Sequence, residues 1–209
     1  MEKLQLVALI SGRGSNLKAI IDAADPLVDI RAVISNRPQA KGLLYAKQAG
    51  IPTETVDHTA FKTRTDFDTA LQTRIDFYQP RLLILAGFMR ILSSGFVAHY
   101  RSRLFNIHPS LLPAFRGLQT HQRVLESGIK EHGASVHFVT EDLDAGPVII
   151  QARVPVLPND DEESLAARVL QVEHRIYPQA IHWFAQGRLQ LQGQCVLLDE
   201  KPIIFNRGD

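Results

Sequence analysis

Hydrophobic residues occur along the chain in short runs that alternate with stretches of mixed polarity. The runs are rich in Val, Ile and Leu, as expected for strands covered on both faces, and the stretches between them have helical spacing. This pattern predicts strands at residues 4–10, 30–34, 53–56, 81–86, 103–107, 135–139 and 148–156, and helices at 17–24, 41–49, about 66–78 and 120–127.

The C-terminal region predicts one long helix and a closing hairpin. The helix starts at about Glu163, after three acidic residues at 160–162 whose charges suit a helix N-terminus. Proline lacks an N–H and its ring clashes with the preceding turn, so Pro178 is expected to kink or break this helix. Residues 189–205 predict a hairpin that turns near residues 199–201.

Strand–helix alternation of this kind predicts an α/β, Rossmann-like fold. We expect a mostly parallel twisted sheet with right-handed crossovers and helices on both faces. No repeat, low-complexity segment or linker interrupts the pattern, and 209 residues suit one domain. We therefore expect a single domain over residues 1–209.

The composition argues against several classes of protein. Lys and Arg number 23 against 22 Asp and Glu, so no basic footprint indicates a nucleic-acid partner. No apolar stretch approaches the ~18–20 residues of a membrane span, and the first apolar run is too short for a signal peptide. The single Cys195 excludes an intrachain disulfide framework and fits a reducing compartment. We expect a soluble cytoplasmic protein that holds any anionic ligand by local geometry.

A glycine-containing turn, Ser11-Gly12-Arg13-Gly14-Ser15-Asn16, lies between the first predicted strand and helix. Glycines let the backbone turn tightly, and a helix N-terminus presents free N–H groups to an anion. Ser15 or Asn16 could cap the helix or bind a phosphate oxygen. The turn lacks the third glycine of the dinucleotide pattern and the Lys of a P-loop. It predicts a phosphate monoester site, with an ordinary strand-to-helix turn as the alternative.

A second candidate site is the run Asn106-Ile107-His108-Pro109. Alternation along a strand places Asn106 and His108 on the same face, ~6.6 Å apart at ~3.3 Å per residue. The Asn106 amide can donate to a developing oxyanion, and His108 can exchange a proton near neutral pH. The alternative is a structural histidine, held by the restricted backbone of Pro109 and Pro113.

A carboxylate-bearing loop, Asp142-Leu143-Asp144-Ala145-Gly146-Pro147, is the third candidate. Asp, Gly and Pro favour turns, so a solvated turn is one interpretation. The other is a carboxylate that orients His108 and raises its pKa. The sequence alone does not bring Asp144 to His108, so both interpretations stay open.

The remaining histidines favour structural roles. His137 lies in the middle of a predicted strand and is expected to be buried and structural, and His121 structural or peripheral. The eight histidines and one cysteine have no metal-ligand spacing, so no metal is predicted.

These three motifs, in this order, resemble those of the formyltetrahydrofolate-dependent transferase family. Further runs at residues 86–92 and 133–139, with Glu173-His174, resemble the branch of that family whose formyl acceptor is glycinamide ribonucleotide. The resemblance covers nearly the whole chain. As a set the motifs are highly specific, although the glycine turn alone would be weak.

The resemblance implies an enzyme that transfers formyl from the co-substrate 10-formyltetrahydrofolate to the amine of glycinamide ribonucleotide, in purine biosynthesis. It implies a catalytic triplet, in which His108 and Asn106 stabilise a tetrahedral oxyanion and Asp144 raises the pKa of His108. The residues implied to bind glycinamide ribonucleotide are Gly14, Ser15, Asn16, Leu170, Gln171, Val172 and Glu173. Those implied to bind folate are Arg64, Met89, Arg90, Ile91, Leu92, Asn106, Thr140, Glu141, Asp142, Leu143 and Asp144. A phosphate-binding half is thus expected at about 1–100, and a catalytic and folate-binding half at about 101–209.

Other activities stay open as alternatives. A formyltetrahydrofolate hydrolase would use the same Asn, His and Asp with water as acceptor, but such relatives usually carry an extra N-terminal domain. A methionyl-tRNA formyltransferase would normally have a further C-terminal domain and a basic surface. A non-catalytic nucleotide-binding module would not require a His and Asp pair. The sequence leaves open the choice of monomer or homodimer, the roles of Arg13 and Phe115-Arg116, and whether Leu112–Pro113 is cis.

Overall fold

The computed structural model describes residues 2–205. Its strands are β1 (Leu4–Ile10), β2 (Val28–Ser35), β3 (Thr53–Thr55), β4 (Leu82–Leu85), β5 (Leu104–His108), β6 (Glu131–Phe138), β7 (Val148–Pro155), β8 (Leu189–Gln192), β9 (Cys195–Leu198) and β10 (Lys201–Pro202). Its helices are α1 (Ser15–Asp22), α2 (Gly42–Gln48), α3 (Arg64–Phe77), α4 (Ser94–His99), α5 (Thr120–Ser127) and α6 (Glu162–Ala185), with a 3₁₀ turn at His58–Ala60.

Seven strands form one sheet in the order β3-β2-β1-β4-β5-β6-β7. The pairs from β3 to β5 are parallel, and β6 pairs with β7 antiparallel. The predicted α/β fold with a mostly parallel sheet is therefore confirmed. Contacts divide the chain into two compact units, one running to Asn106 and including Val139–Glu141, the other comprising Ile107–Phe138 and the chain from Asp142.

Helices cover both faces of the parallel sheet in the first unit. Leu9 of β1 belongs with Phe67 of α3 and Phe96 of α4 to one buried hydrophobic cluster. The next residue, Ile10, points to the opposite face, since a Cβ added to Gly42 at the start of α2 would lie 2.8 Å from its Cδ1. This alternation explains why β1 is apolar at nearly every position.

The second unit is built on the antiparallel pair of β6 and β7, against which α6 packs. The helix begins with a capping box, because the Asp161 side chain accepts from the Ser164 backbone and the Ser164 hydroxyl accepts from the Asp161 backbone. Of the two effects expected of Pro178, a kink or a break, the break is wrong, since α6 continues to Ala185. Tyr177 and Ala180 on either side of the proline are fully buried, and this packing maintains the helix despite the missing N–H.

The C-terminal hairpin and helix α4 both differ from the sequence prediction. The predicted C-terminal hairpin is present, with its turn at Asp199 and Glu200, both of which have positive φ. An additional turn at Gly193 makes it a three-stranded antiparallel sheet of β8, β9 and β10. The short helix α4 was not predicted; it begins after Ser93, whose side chain accepts from the Phe96 backbone. Its 6 residues are too few to show a helical period.

Candidate active site

The glycine turn follows β1 at the point where the strand order of the parallel sheet reverses between β1 and β4. In open α/β sheets, ligands bind beside the carboxyl ends of strands at such a switch point. Gly14 has a left-handed backbone, with φ +76°, and is the N-cap of α1. No side chain caps this helix, so the idea that Ser15 or Asn16 does so is wrong. The N-cap position itself therefore offers no side-chain acceptor to the backbone N–H groups of the first turn.

Close approach of two backbones fixes the shape of the glycine turn. The Gly42 N–H at the start of α2 donates to the Gly12 carbonyl at 3.0 Å. A Cβ on Gly42 would lie 2.9 Å from the Gly14 Cα, which is closer than real side-chain contacts. Glycine is required on both sides of this contact because neither backbone has room for a side chain.

Ser11 ties the glycine turn to the loop after β4. Its buried hydroxyl donates to Asn36 Oδ1 at 2.6 Å and accepts from the Met89 N–H at 2.7 Å. Its own N–H donates to the Gly87 carbonyl at 3.1 Å. Two segments that the sequence assigned to different ligands, the phosphate turn and the 89–92 loop, are thus held side by side.

The loop after β4 is partly apolar and exposed. Met89 and Ile91 are 63% and 57% exposed, whereas Leu92 packs on the core cluster of the first unit. The Arg90 guanidinium lies 5.6 Å from the centre of the Phe67 ring. Arg64 is exposed at the first position of α3. An exposed apolar loop that also carries the Arg90 cation suits a ligand that combines a flat apolar ring with anionic groups.

The structure brings Asp144 to His108, which the sequence left open. His108 ends β5 and is buried, with its Nδ1 3.3 Å from Asp144 Oδ2 and its Nε2 2.9 Å from the Phe115 carbonyl oxygen. Both neighbours are hydrogen-bond acceptors. A proton on either ring nitrogen therefore has an acceptor in front of it.

A second histidine lies beside the same carboxylate. His137 Nε2 is 3.7 Å from Asp144 Oδ1, and its Nδ1 is 2.8 Å from the Phe138 carbonyl oxygen. Burial lowers the pKa of the His137 imidazole, so this ring is neutral at pH 7.

The Asp144 carboxylate is positioned by its own backbone and by a neighbouring loop. Asp144 has φ +49°, a left-handed conformation that Asp and Asn tolerate better than most residues. Its Oδ2 accepts the Gly117 N–H at 3.0 Å. Its side chain is 9% exposed, so the charge is largely removed from water. Such a carboxylate interacts strongly with any cation placed against it.

The remaining predicted residues are distributed over several elements. Asn106 is half-buried in β5, two positions before His108, and its backbone pairs with Leu85 of β4. On α6, Val172 and Glu173 are buried while Gln171 is exposed. The rest of the predicted folate set lies in the segment between β6 and β7, at Thr140, Glu141, Asp142 and Leu143.

Sequence reasoning missed the residues that support this site. Ser11 was considered only as the first residue of the glycine turn, and no hydrogen-bond partner was predicted for the hydroxyl of Ser135. The available signal was a hydroxyl residue within a strand or directly after one, because buried polar groups require hydrogen-bond partners. Between residues 2 and 205, no cluster of three or more metal-ligating side chains is present. No helix in the same span is long and apolar enough to cross a membrane.

Comparisons with known proteins agree with the motifs. The family model described as formyl transferase matches residues 4–181. The chain is 54% identical over 199 residues to phosphoribosylglycinamide formyltransferase of Escherichia coli, covering 94% of each chain. The solved structure of the Coxiella burnetii phosphoribosylglycinamide formyltransferase is 54% identical and superposes with a TM-score of 0.93 over 97% of each chain. Glycinamide ribonucleotide transformylase 1 of Symbiobacterium toebii is 45% identical, with a TM-score of 0.91 over 94% of each chain. The chain belongs to the formyl transferase family, and within it to the phosphoribosylglycinamide formyltransferases.

Proposed function

We propose that this chain transfers the formyl group of 10-formyltetrahydrofolate to the amine of glycinamide ribonucleotide, forming formylglycinamide ribonucleotide and tetrahydrofolate. The observation that carries the proposal is the buried contact of His108 with Asp144 in a chain of this family. A protein that only binds a nucleotide has no need of a buried imidazole paired with a carboxylate. The purine-pathway role follows from the same substrates.

The proposed reaction is direct attack of the substrate amine on the formyl carbon. A bond forms between the amine nitrogen and this carbon, and the formyl oxygen becomes an anion in a tetrahedral intermediate. The bond from carbon to the folate N10 then breaks, and the proton lost by the amine ends on N10. The protein must therefore stabilise an oxyanion and allow one proton transfer.

His108 and Asn106 are the proposed donors to that oxyanion, and Asp144 favours the protonated form of His108. Two acceptors face the ring, at 3.3 and 2.9 Å, so both N–H groups of an imidazolium would have a partner. To donate to the reacting oxygen, the ring must give up one of these partners. We propose that the ring gives up the Phe115 carbonyl and keeps Asp144, because the negative charge of Asp144 stabilises the imidazolium. Loss of one oxyanion donor typically costs about 100–1,000-fold in rate.

The ligand assignments are part of the same proposal. The phosphate of glycinamide ribonucleotide is assigned to the turn at Gly14, Ser15 and Asn16, where the first turn of α1 has no side-chain cap. The rest of this substrate is assigned to residues 170–173 of α6. Folate is assigned to Arg64, to the loop at 89–92, to Asn106 and to the segment at 140–144.

A spectroscopic assay of folate deformylation, run with and without glycinamide ribonucleotide, tests the proposal. We expect turnover only with the ribonucleotide, and formylated ribonucleotide as product. Release of formate without it would make the chain a hydrolase, and the assigned phosphate site would be withdrawn. His108→Ala and Asp144→Ala should stay folded and lose most turnover, whereas the exposed His99→Ala should keep it. Near wild-type rates in either site variant would refute the assigned roles.

A further inference from the structure

A cross-strand pair in the second unit holds the loop that follows His108. Ser135 of β6 and Gln151 of β7 are directly opposite each other in the antiparallel ladder, so their side chains lie on the same face. Gln151 Nε2 donates to Ser135 Oγ at 2.9 Å. Ser135 is fully buried and Gln151 half-buried.

This pair makes three hydrogen bonds to the backbone of the loop. The Ser135 hydroxyl donates to the Ser110 carbonyl at 2.6 Å and accepts the Leu112 N–H at 3.0 Å. Gln151 Nε2 donates to the Leu112 carbonyl at 2.8 Å. The hydroxyl thus uses its one donor and both acceptor positions, and the amide nitrogen uses both of its N–H groups. A polar arrangement that is fully satisfied has one geometry and resists displacement.

The loop transmits this fixed geometry to the histidine. The Ser110 hydroxyl donates to the Ala114 carbonyl at 2.6 Å, and the next carbonyl, that of Phe115, faces His108 Nε2 at 2.9 Å. The peptide bond between Leu112 and Pro113 is cis, and Phe115 has φ +53°. Because the Ser110 hydroxyl binds the Ala114 carbonyl, the direction of the next carbonyl, that of Phe115, depends on how residues 110–114 are held.

We propose that Gln151, acting with Ser135, is a positioning residue for formyl transfer. It holds the loop at residues 109–115, and through the Phe115 carbonyl it fixes the position of His108 Nε2 until this nitrogen exchanges that partner for the reacting oxygen. This inference rests on the function proposed above. Gln151 acts through the backbone and the histidine, so its loss should affect the reaction step more than substrate binding. A misplacement of ~1 Å at a catalytic group can cost ~100-fold in rate.

Three variants separate positioning from simple structural support. Gln151→Leu removes both N–H donors at similar size, and we expect kcat to fall about 10–100-fold with both KM values within about threefold.

Gln151→Glu replaces the donors with a carboxylate that faces the Leu112 carbonyl, and recovers one donor when it is protonated. Its kcat relative to wild type should therefore rise as the pH is lowered from 8 to 5.5, whereas the Gln151→Leu ratio stays constant. Gln190→Glu, at an exposed strand position of β8, is the matched control and should keep the wild-type ratio at every pH.

All rates are measured below each variant's unfolding temperature. If Gln151→Leu does not fold, the pH-dependent recovery of Gln151→Glu carries the test. Wild-type kcat in Gln151→Leu, a loss confined to KM, or a Gln151→Glu ratio that does not change with pH would each overturn the inference. A wild-type chain that makes no formylated ribonucleotide would overturn the proposed function, and this inference with it. An active wild type with an equally active Gln151→Leu would overturn this inference alone.

Discussion

Gly14→Ala tests whether the close approach of two backbones shapes the phosphate turn. Gly14 has φ +76°, a region where L-residues other than glycine are strained. The added Cβ would lie inside van der Waals contact of the Gly42 Cα and 3.4 Å from the Gly42 nitrogen. The neighbour is backbone at the start of α2, so no side-chain rotation can relieve the clash.

The expected cost has two sources. A left-handed conformation costs a residue with a Cβ about 1–2 kcal/mol. Forcing extra volume into a well-packed region costs about 1–3 kcal/mol. Together these predict a loss of about 2–5 kcal/mol, which is a large part of the ~5–15 kcal/mol by which domains are stable. For a chain of this size, the melting temperature should fall by roughly 5–20 °C.

Gly12→Ala is the matched control, because a Cβ there would meet no atom within 4 Å. Thermal and urea unfolding of the two variants should place Gly12→Ala near wild type and Gly14→Ala well below it. Equal stability of the two variants would refute the argument from backbone contact. Under the proposed function, Gly14→Ala should also raise the KM for glycinamide ribonucleotide. A destabilised variant with an unchanged KM would contradict the assignment of the phosphate to this turn.

Further predictions concern stability. Burial, with two neighbouring histidines, lowers the pKa of His132 from 6.5 to about 4. Between pH 6.5 and about 4 the unfolded chain therefore binds more protons than the folded chain, and the free energy of unfolding should fall as the pH is lowered through this interval. Urea titrations at pH 7 and 5 should show a weaker pH dependence in His132→Gln; a slope equal to wild type would contradict this. Leu71→Ala, at a fully buried position of α3, should lower the free energy of unfolding by about 2–5 kcal/mol. Leu44→Ala, at a position that is 58% exposed, should lower it by less than about 0.5 kcal/mol. Similar losses for the two variants in urea unfolding would contradict the core described above. Asp161→Ala removes the capping box with Ser164 and should lower the free energy of unfolding by about 1 kcal/mol, and an unchanged urea midpoint would show that the cap adds nothing.

The local elements could be predicted because their signals are local. The bounds of β1 and α5 agree with the prediction from the hydrophobic pattern, since the periods of strands and helices depend on residues only two to four positions apart. The capping residues of α6 and the turn at Asp199 are likewise determined by residues that are close together in the sequence. Pro178 marks the limit of such reasoning, because packing on both sides of it outweighs a local rule.

The chain by itself determined the class of sheet, the order of the elements and the motifs that mark the family. Only the tertiary structure decided which distant residues meet. It placed Asp144 against His108, and Gly42 against the glycine turn. It also joined Ser135 and Gln151 to the loop beyond His108. Each of these contacts closes a long stretch of chain, and its geometry depends on how the intervening elements pack, which no local period or spacing encodes.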